Sequence, residues 1–153
     1  MSELTVKIRI KTKGLDEMKD ELNKINKRMD DLRPIWPKVN ANLKKYLIEN
    51  FTAQGLPTGG WQPLSAQYGS WKASRFPGAP LLVQTGALFE RVAGGPELDG
   101  GKREATFAFS GEIAAFHQYG TTKMPKREII FSPELWEKDM ARMVEEYIID
   151  GII

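Results

Sequence analysis

Apolar and charged side chains alternate one by one over residues 4–13. Leu4, Val6, Ile8 and Ile10 fall on one side, and Lys7, Arg9, Lys11 and Lys13 on the other. A period of two predicts a strand with one buried and one wet face. The lysines also discourage edge-to-edge pairing with other chains. Gly14 breaks this strand, and the period then changes. Leu15, Met18, Leu22, Ile25, Met29 and Leu32 are spaced 3, 4, 3, 4 and 3 apart. This is a narrow helical stripe resembling a coiled-coil seam, with Asp16 and Glu17 in the first turn where the helix dipole favours negative charge. Fewer than three heptads are present, so packing on a sheet or on a neighbouring subunit is expected instead of an autonomous coiled coil.

Pro34 and Pro37 separate this helix from a second, over about 37–51, whose apolar face is Val39, Leu43, Tyr46, Leu47 and Phe51. The pattern then dissolves. Residues 50–89 hold six glycines, four prolines and six aromatics, and no acidic residue between Glu49 and Glu90. Such a segment is too apolar for a disordered linker and too punctuated for long helices. It reads as a long ordered loop region pinned by aromatics, with short helices near 65–73 and 85–91. Thr85 is a candidate cap for the second of these.

Residues 92–110 read as a β-hairpin, with Phe107 and Phe109 alternating against Thr106 and Ala108 and a mobile glycine-rich tip at 94–102. A short helix over 113–119 ends at Gly120. Residues 128–131 read as a short strand. Ser132 and Pro133 open a final helix, by a capping hydroxyl and a proline at the first helical position. Its apolar stripe is Trp136, Met140, Met143, Val144, Tyr147 and Ile148. The fold class expected is α+β, with a small, mainly antiparallel sheet and flanking helices.

At 153 residues the chain fits one domain, 1–153, large enough to bury roughly 68–70% of its unfolded surface. Residues 1–40 form a strand-helix extension to it. With no cysteine, disulfides and thiolate zinc sites are excluded, which fits a reducing compartment. The first 13 residues contain no apolar run, so no signal peptide is expected. Residues 51–71 carry no charge but are broken by glycine and proline, so no membrane span is expected either.

Charge is unevenly spread. Residues 1–50 carry 12 basic and 8 acidic side chains, against 2 and 6 in residues 132–153. Opposite patches of this kind support head-to-tail contact between copies. Solvated helix faces of differing sign give the same arithmetic.

His117 is the only histidine. A His/His metal pair is therefore impossible, and a Ser–His–Asp triad has no identifiable partners. The motifs G-x-S-x-G, G-x-x-x-x-G-K-[ST] and H-E-x-x-H are all absent. The pairs Asp30-Asp31 and Glu145-Glu146 lie in helical contexts where charge faces water. No catalytic, cofactor or metal residue is assigned. His117 and Gln118 are expected to hydrogen-bond a neighbouring loop backbone, since both side chains donate and accept.

The basic loop 123–127, with Lys123, Lys126 and Arg127 beside Phe116, Tyr119 and Phe131, supports an alternative. Here the chain would be a small nucleic-acid-binding module gripping phosphates and stacking on bases. Glu112 and Glu128 flank this cluster, and no recognised binding motif accompanies it. Trp61 and Trp71 either pin their loop to the core or anchor an interface.

Four pieces in order carry a family resemblance. Trp61, Pro63, Leu64 and Ser65 form a W-x-P-L-S segment. Leu82, Thr85, Gly86 and Leu88 follow as L-x-x-T-G-x-L. His117, Gln118, Tyr119 and Gly120 give H-Q-[FY]-G, and Pro125 and Arg127 give P-x-R. Over roughly residues 46–135 the chain resembles the phage virion-morphogenesis or tail-completion family, typified by the G protein of phage Mu. Residues 1–40 match none of these segments, and Glu128 and Ile129 stand where the family often has proline and an aromatic.

The resemblance implies a non-enzymatic structural protein without cofactor, found in the virion and assembled in the bacterial host cytoplasm. It would act as a homo-oligomeric ring, with six a candidate copy number, on the tail tube or neck connector. Contact with DNA would be incidental and none with membrane is implied. On this reading Lys123, Lys126 and Arg127 point at a partner. Glu134, Glu137, Asp139, Glu145 and Glu146 of the final helix are the candidate receiving surface.

Overall fold

The computed structural model describes residues 13–131 and 134–153. The strand expected over 4–13 falls outside them except for its last residue, as does the helix start at Ser132 and Pro133. What is described is an α+β fold of six helices and one two-stranded antiparallel sheet.

Helix α1 (Leu15–Asp30) begins after Gly14, whose φ of 88° sets the turn into it. None of its residues is buried. It packs on the last helix, α6 (Glu134–Asp150), not on a sheet. Arg28 fastens the two: its Nη1 donates to the carbonyls of Ile148 at 2.7 Å and Ile149 at 2.6 Å. These carbonyls lie in the last turn of α6, where no intrahelical N–H reaches them and where a cation is favoured by the helix dipole.

Helix α2 (Trp36–Thr52) is the centre of the molecule, with Pro37 in its first turn where a missing N–H costs nothing. Its buried stripe of Val39, Leu43, Leu47 and Phe51 follows the helical period. Against it pack α4 (Ala87–Gly94), α6 and strand β1 (Glu97–Gly100). Ile35, Val39, Leu47 and Ile129 are wholly buried at the heart of this core. From α6, Trp136, Met143 and Tyr147 enter it, all from the expected stripe. The Tyr147 hydroxyl donates to the Asp31 carbonyl at 3.0 Å, closing the gap between α1 and α2.

The aromatic-pinned middle is ordered as expected. Phe51 meets Trp61 edge-on at 5.2 Å and Phe89 at 5.3 Å, tying both ends of the region to α2. A 3-10 turn (Leu56–Thr58) leads to α3 (Ala66–Arg75), capped by Ser65, whose hydroxyl accepts from the Tyr68 N–H at 3.3 Å. Gly55 is obligatory here. Its φ is 78°, and a Cβ would lie 2.2 Å from Cδ1 of the Trp61 ring. Helix α4 is capped by Gly86 in a left-handed conformation, and Thr85 contributes its hydroxyl to the Ala87 N–H at 3.4 Å.

The hairpin pairs β1 with β2 (Ala105–Ala108) in the register Glu97 to Ala108 and Gly100 to Ala105. The glycine-rich tip is therefore shorter than 94–102, because residues 97–100 are paired strand. Helix α5 (Glu112–Tyr119) ends at Gly120, as its sequence indicates. The expected strand at 128–131 does not form. That segment pairs with no other strand, and side chains take the backbone groups that a ladder would use.

Candidate functional site

Three side chains grip the extended backbone after Arg127. Asn50 donates through Nδ2 to the carbonyls of Glu128 at 3.1 Å and Ile129 at 3.2 Å. The Trp61 indole donates to the Glu128 carbonyl at 2.9 Å. Gln118 closes the set, accepting at Oε1 from the N–H groups of Ile129 and Ile130 and donating at Nε2 to the Ile130 carbonyl. Buried backbone polar groups need partners, and a run of amide side chains here does the work of a neighbouring strand. The clamp drives the Ile129 side chain into the core with no exposure. The departure from the family pattern at Glu128 and Ile129 thus supplies a core plug. It also supplies an ion pair, Glu128 with Lys126 at 2.9 Å.

Beside this clamp lies a groove of about 410 Å³ between α3, α4, α5 and the returning loop 123–127. Pieces of all four motifs meet in it: Leu64 and Ser65, Leu82 with Thr85 and Gly86, His117, and Pro125 with Arg127. Its wall is largely aliphatic, from Leu81, Val83, Leu88 and the exposed Ile113. Its charges are all of one sign. Lys72, Lys123 and Arg127 line it, and none of the lining residues is acidic.

Two of these cations are deep. Lys72 and Arg127 are each 4% exposed. The Lys72 ammonium donates to the carbonyls of Pro80 and Leu81, and Arg127 donates from Nε to the Gln62 carbonyl at 2.8 Å and from Nη2 to the Pro63 carbonyl at 3.0 Å. Carbonyl oxygens satisfy donors but supply no net negative charge. Burial, with the Arg127 charge nearby, lowers the Lys72 pKa; burial likewise lowers that of Arg127. The His117 imidazole is pushed below its ordinary pKa by burial and then by Arg127, which favours the neutral ring.

Two sequence expectations are corrected here. Arg127 does not project outward from the loop: its guanidinium turns inward to the Gln62 and Pro63 carbonyls and ties loop 123–127 to the W-x-P-L-S segment. The loop backbone is bonded through Gln118, while His117 contributes its main-chain carbonyl, which accepts from the Arg127 N–H at 2.7 Å. The buried Nδ1 of His117 has no protein partner among the described residues.

Trp61 and Pro63 serve the clamp and the Arg127 tie, outside the groove. Tyr119 stands 0.80 exposed in fraction beyond it, and Gly120 makes the sharp turn in which its backbone meets that of Lys126. Lys126 is engaged by Glu128 and Arg127 by two backbone carbonyls, so of the three loop cations only the side chain of Lys123 has no partner among the described residues. Lys72 went unnoticed in the motifs. The signal was there: it lies in the acid-free stretch, with no carboxylate three or four residues away on α3 to pair with it. Among the described residues no group of His, Cys, Asp and Glu is placed to hold a metal ion, and no helix is long and apolar enough to cross a membrane.

The described residues thus form a small α+β domain with all four motifs gathered around one clamp and groove. The chain belongs to the phage virion morphogenesis family, whose model matches residues 13–148. The matched residues include α1. The chain matches no curated protein and no solved structure. Its role lies in the building of the phage particle.

Proposed function

We propose that the protein is a non-enzymatic structural component of the tail or neck, completing the tail or joining it to the head through self-association and docking to the tail end. The observation that carries this reading is α1. Leu15, Met18, Leu22 and Met29 form an apolar stripe in which each side chain is 52–54% exposed. A helix of this length draws its stability from packing an apolar face. No described element covers this face, and a contiguous exposed apolar patch marks an interaction site. A neighbouring copy in a ring is the occupant that fits a particle-building family, and a ring on the tail tube or connector places the protein in the virion. With Lys126 paired and Arg127 turned inward, the basic loop gives the nucleic-acid reading little to stand on.

Native mass spectrometry on the purified chain tests the first half of this reading, with concentration-dependent closed oligomers as the expected result. Microscopy of particles made without the gene tests the second, with unjoined heads and tails or tails of irregular length expected. A strictly monomeric protein and fully mature particles would together rule it out.

A further inference from the structure

The groove holds two buried cations and a third at its rim, with no anion to meet them. Breaking a buried ion pair by removing one partner is strongly destabilising, because the remaining charge is left uncompensated. Lys72 and Arg127 stand in that condition in the isolated chain, relieved only by carbonyl dipoles. Lysine has three donors and arginine five. Two of each are used on backbone oxygens, so both retain capacity for a carboxylate. His117 also lines the groove. Around these groups the wall is aliphatic, so a small inorganic anion would leave most of it unfilled. The occupant this chemistry asks for carries a carboxylate next to bulky aliphatic side chains.

The exposed stretch that follows α6 has that composition. Helix α6 ends at Asp150, and Gly151, Ile152 and Ile153 follow without secondary structure. Ile152 and Ile153 are 52% and 66% exposed. Gly151, at a φ of 73°, turns the chain away from the helix beside Arg28. We propose that the groove is a docking site for residues 150–153 of a second copy. Asp150 would approach Lys72, Lys123 and Arg127, and the two isoleucines would lie against Leu82, Leu88 and Ile113. The contact is head-to-tail, so repetition with the right rotation closes a ring. The inference rests on the self-association proposed above and adds a second contact to that of the α1 stripe.

The test has two arms. In the first, the peptide EEYIIDGII, residues 145–153, is titrated into the full chain and followed by amide chemical shifts and calorimetry. Saturable binding is expected, with shifts at residues 64–65, 81–88 and 113–127. Affinity should fall about tenfold with Asp150→Asn in the peptide or Lys123→Glu in the protein, as for loss of one charged hydrogen bond. Lys123 is exposed and makes no side-chain bond, so that variant keeps its fold. In the second arm, Asp150→Lys and Lys123→Glu should each abolish self-association of the full chain, and an equal mixture of the two should regain it.

Absence of peptide binding, shifts elsewhere, an unchanged affinity for the Asp150→Asn peptide, or equal binding of inorganic phosphate at the groove would overturn the proposal. Oligomers that persist in Asp150→Lys would also overturn it, while leaving the assembly role standing. A wild-type chain that never self-associates would count against the assembly role, and the peptide arm would still decide the groove.

Discussion

Gln118 holds Ile130 by both ends of its peptide unit, accepting from its N–H at 2.8 Å and donating to its carbonyl at 2.6 Å. The same Oε1 also accepts from the Ile129 N–H at 3.0 Å. One side chain thus fixes the segment that carries Arg127 to the groove on one side and Ile129 to the core on the other.

Gln118→Ala should therefore cost about 3 kcal/mol or more, because it strips two N–H groups and a carbonyl of their partner and each unpaired buried group costs about 1–3 kcal/mol. Gln118→Glu keeps the acceptor and loses only the donor, so it should cost less. Urea unfolding with unchanged m-values would check both.

Gly55→Ala should cost about 2 kcal/mol or more, from a left-handed φ combined with a contact that the Trp61 ring cannot accept unmoved. Moving the ring breaks its bond to Glu128. The near-ultraviolet circular dichroism of tryptophan should change along with the unfolding midpoint.

His117 should make the fold acid-sensitive. Its folded pKa lies below its unfolded one, so over the window between them the unfolded state binds more protons and stability falls with falling pH. The loss begins as pH drops through the ordinary histidine range near 6.5 and ends at the folded pKa. His117→Gln should flatten this part of the stability–pH curve, measured by thermal or urea unfolding from pH 7.5 to 5.

Leu22→Glu on α1 should leave monomer stability within about 0.5 kcal/mol, as for surface positions generally. It should sharply weaken self-association in sedimentation velocity. Arg28→Ala should act differently, loosening α1 from α6 and raising the amide exchange rate of both helix ends.

Helices α1, α2 and α6 are legible in the sequence because a helical apolar period marks one face whether or not the chain itself buries it, and α5 is legible from its stop at Gly120. The sequence leaves Trp61 open between pinning its loop and anchoring an interface; its burial against Phe51 is what shows the pinning. The strand at 128–131 was misread because a short apolar run shows only that a backbone is extended. It does not show whether Gln118, Asn50 or another strand satisfies that backbone. The inward turn of Arg127 escapes the sequence for a related reason: charge predicts exposure, yet a guanidinium whose donors meet two backbone carbonyls can be buried. Lys72 escaped the motif reading altogether, because its meaning lies in what is missing around it in space.

The apolar seam of α1 contributes nothing to the centre built on α2. On the proposed self-association, a chain could then reach its native state without a neighbour. Joining would be a later event, set by how many finished subunits crowd the same place.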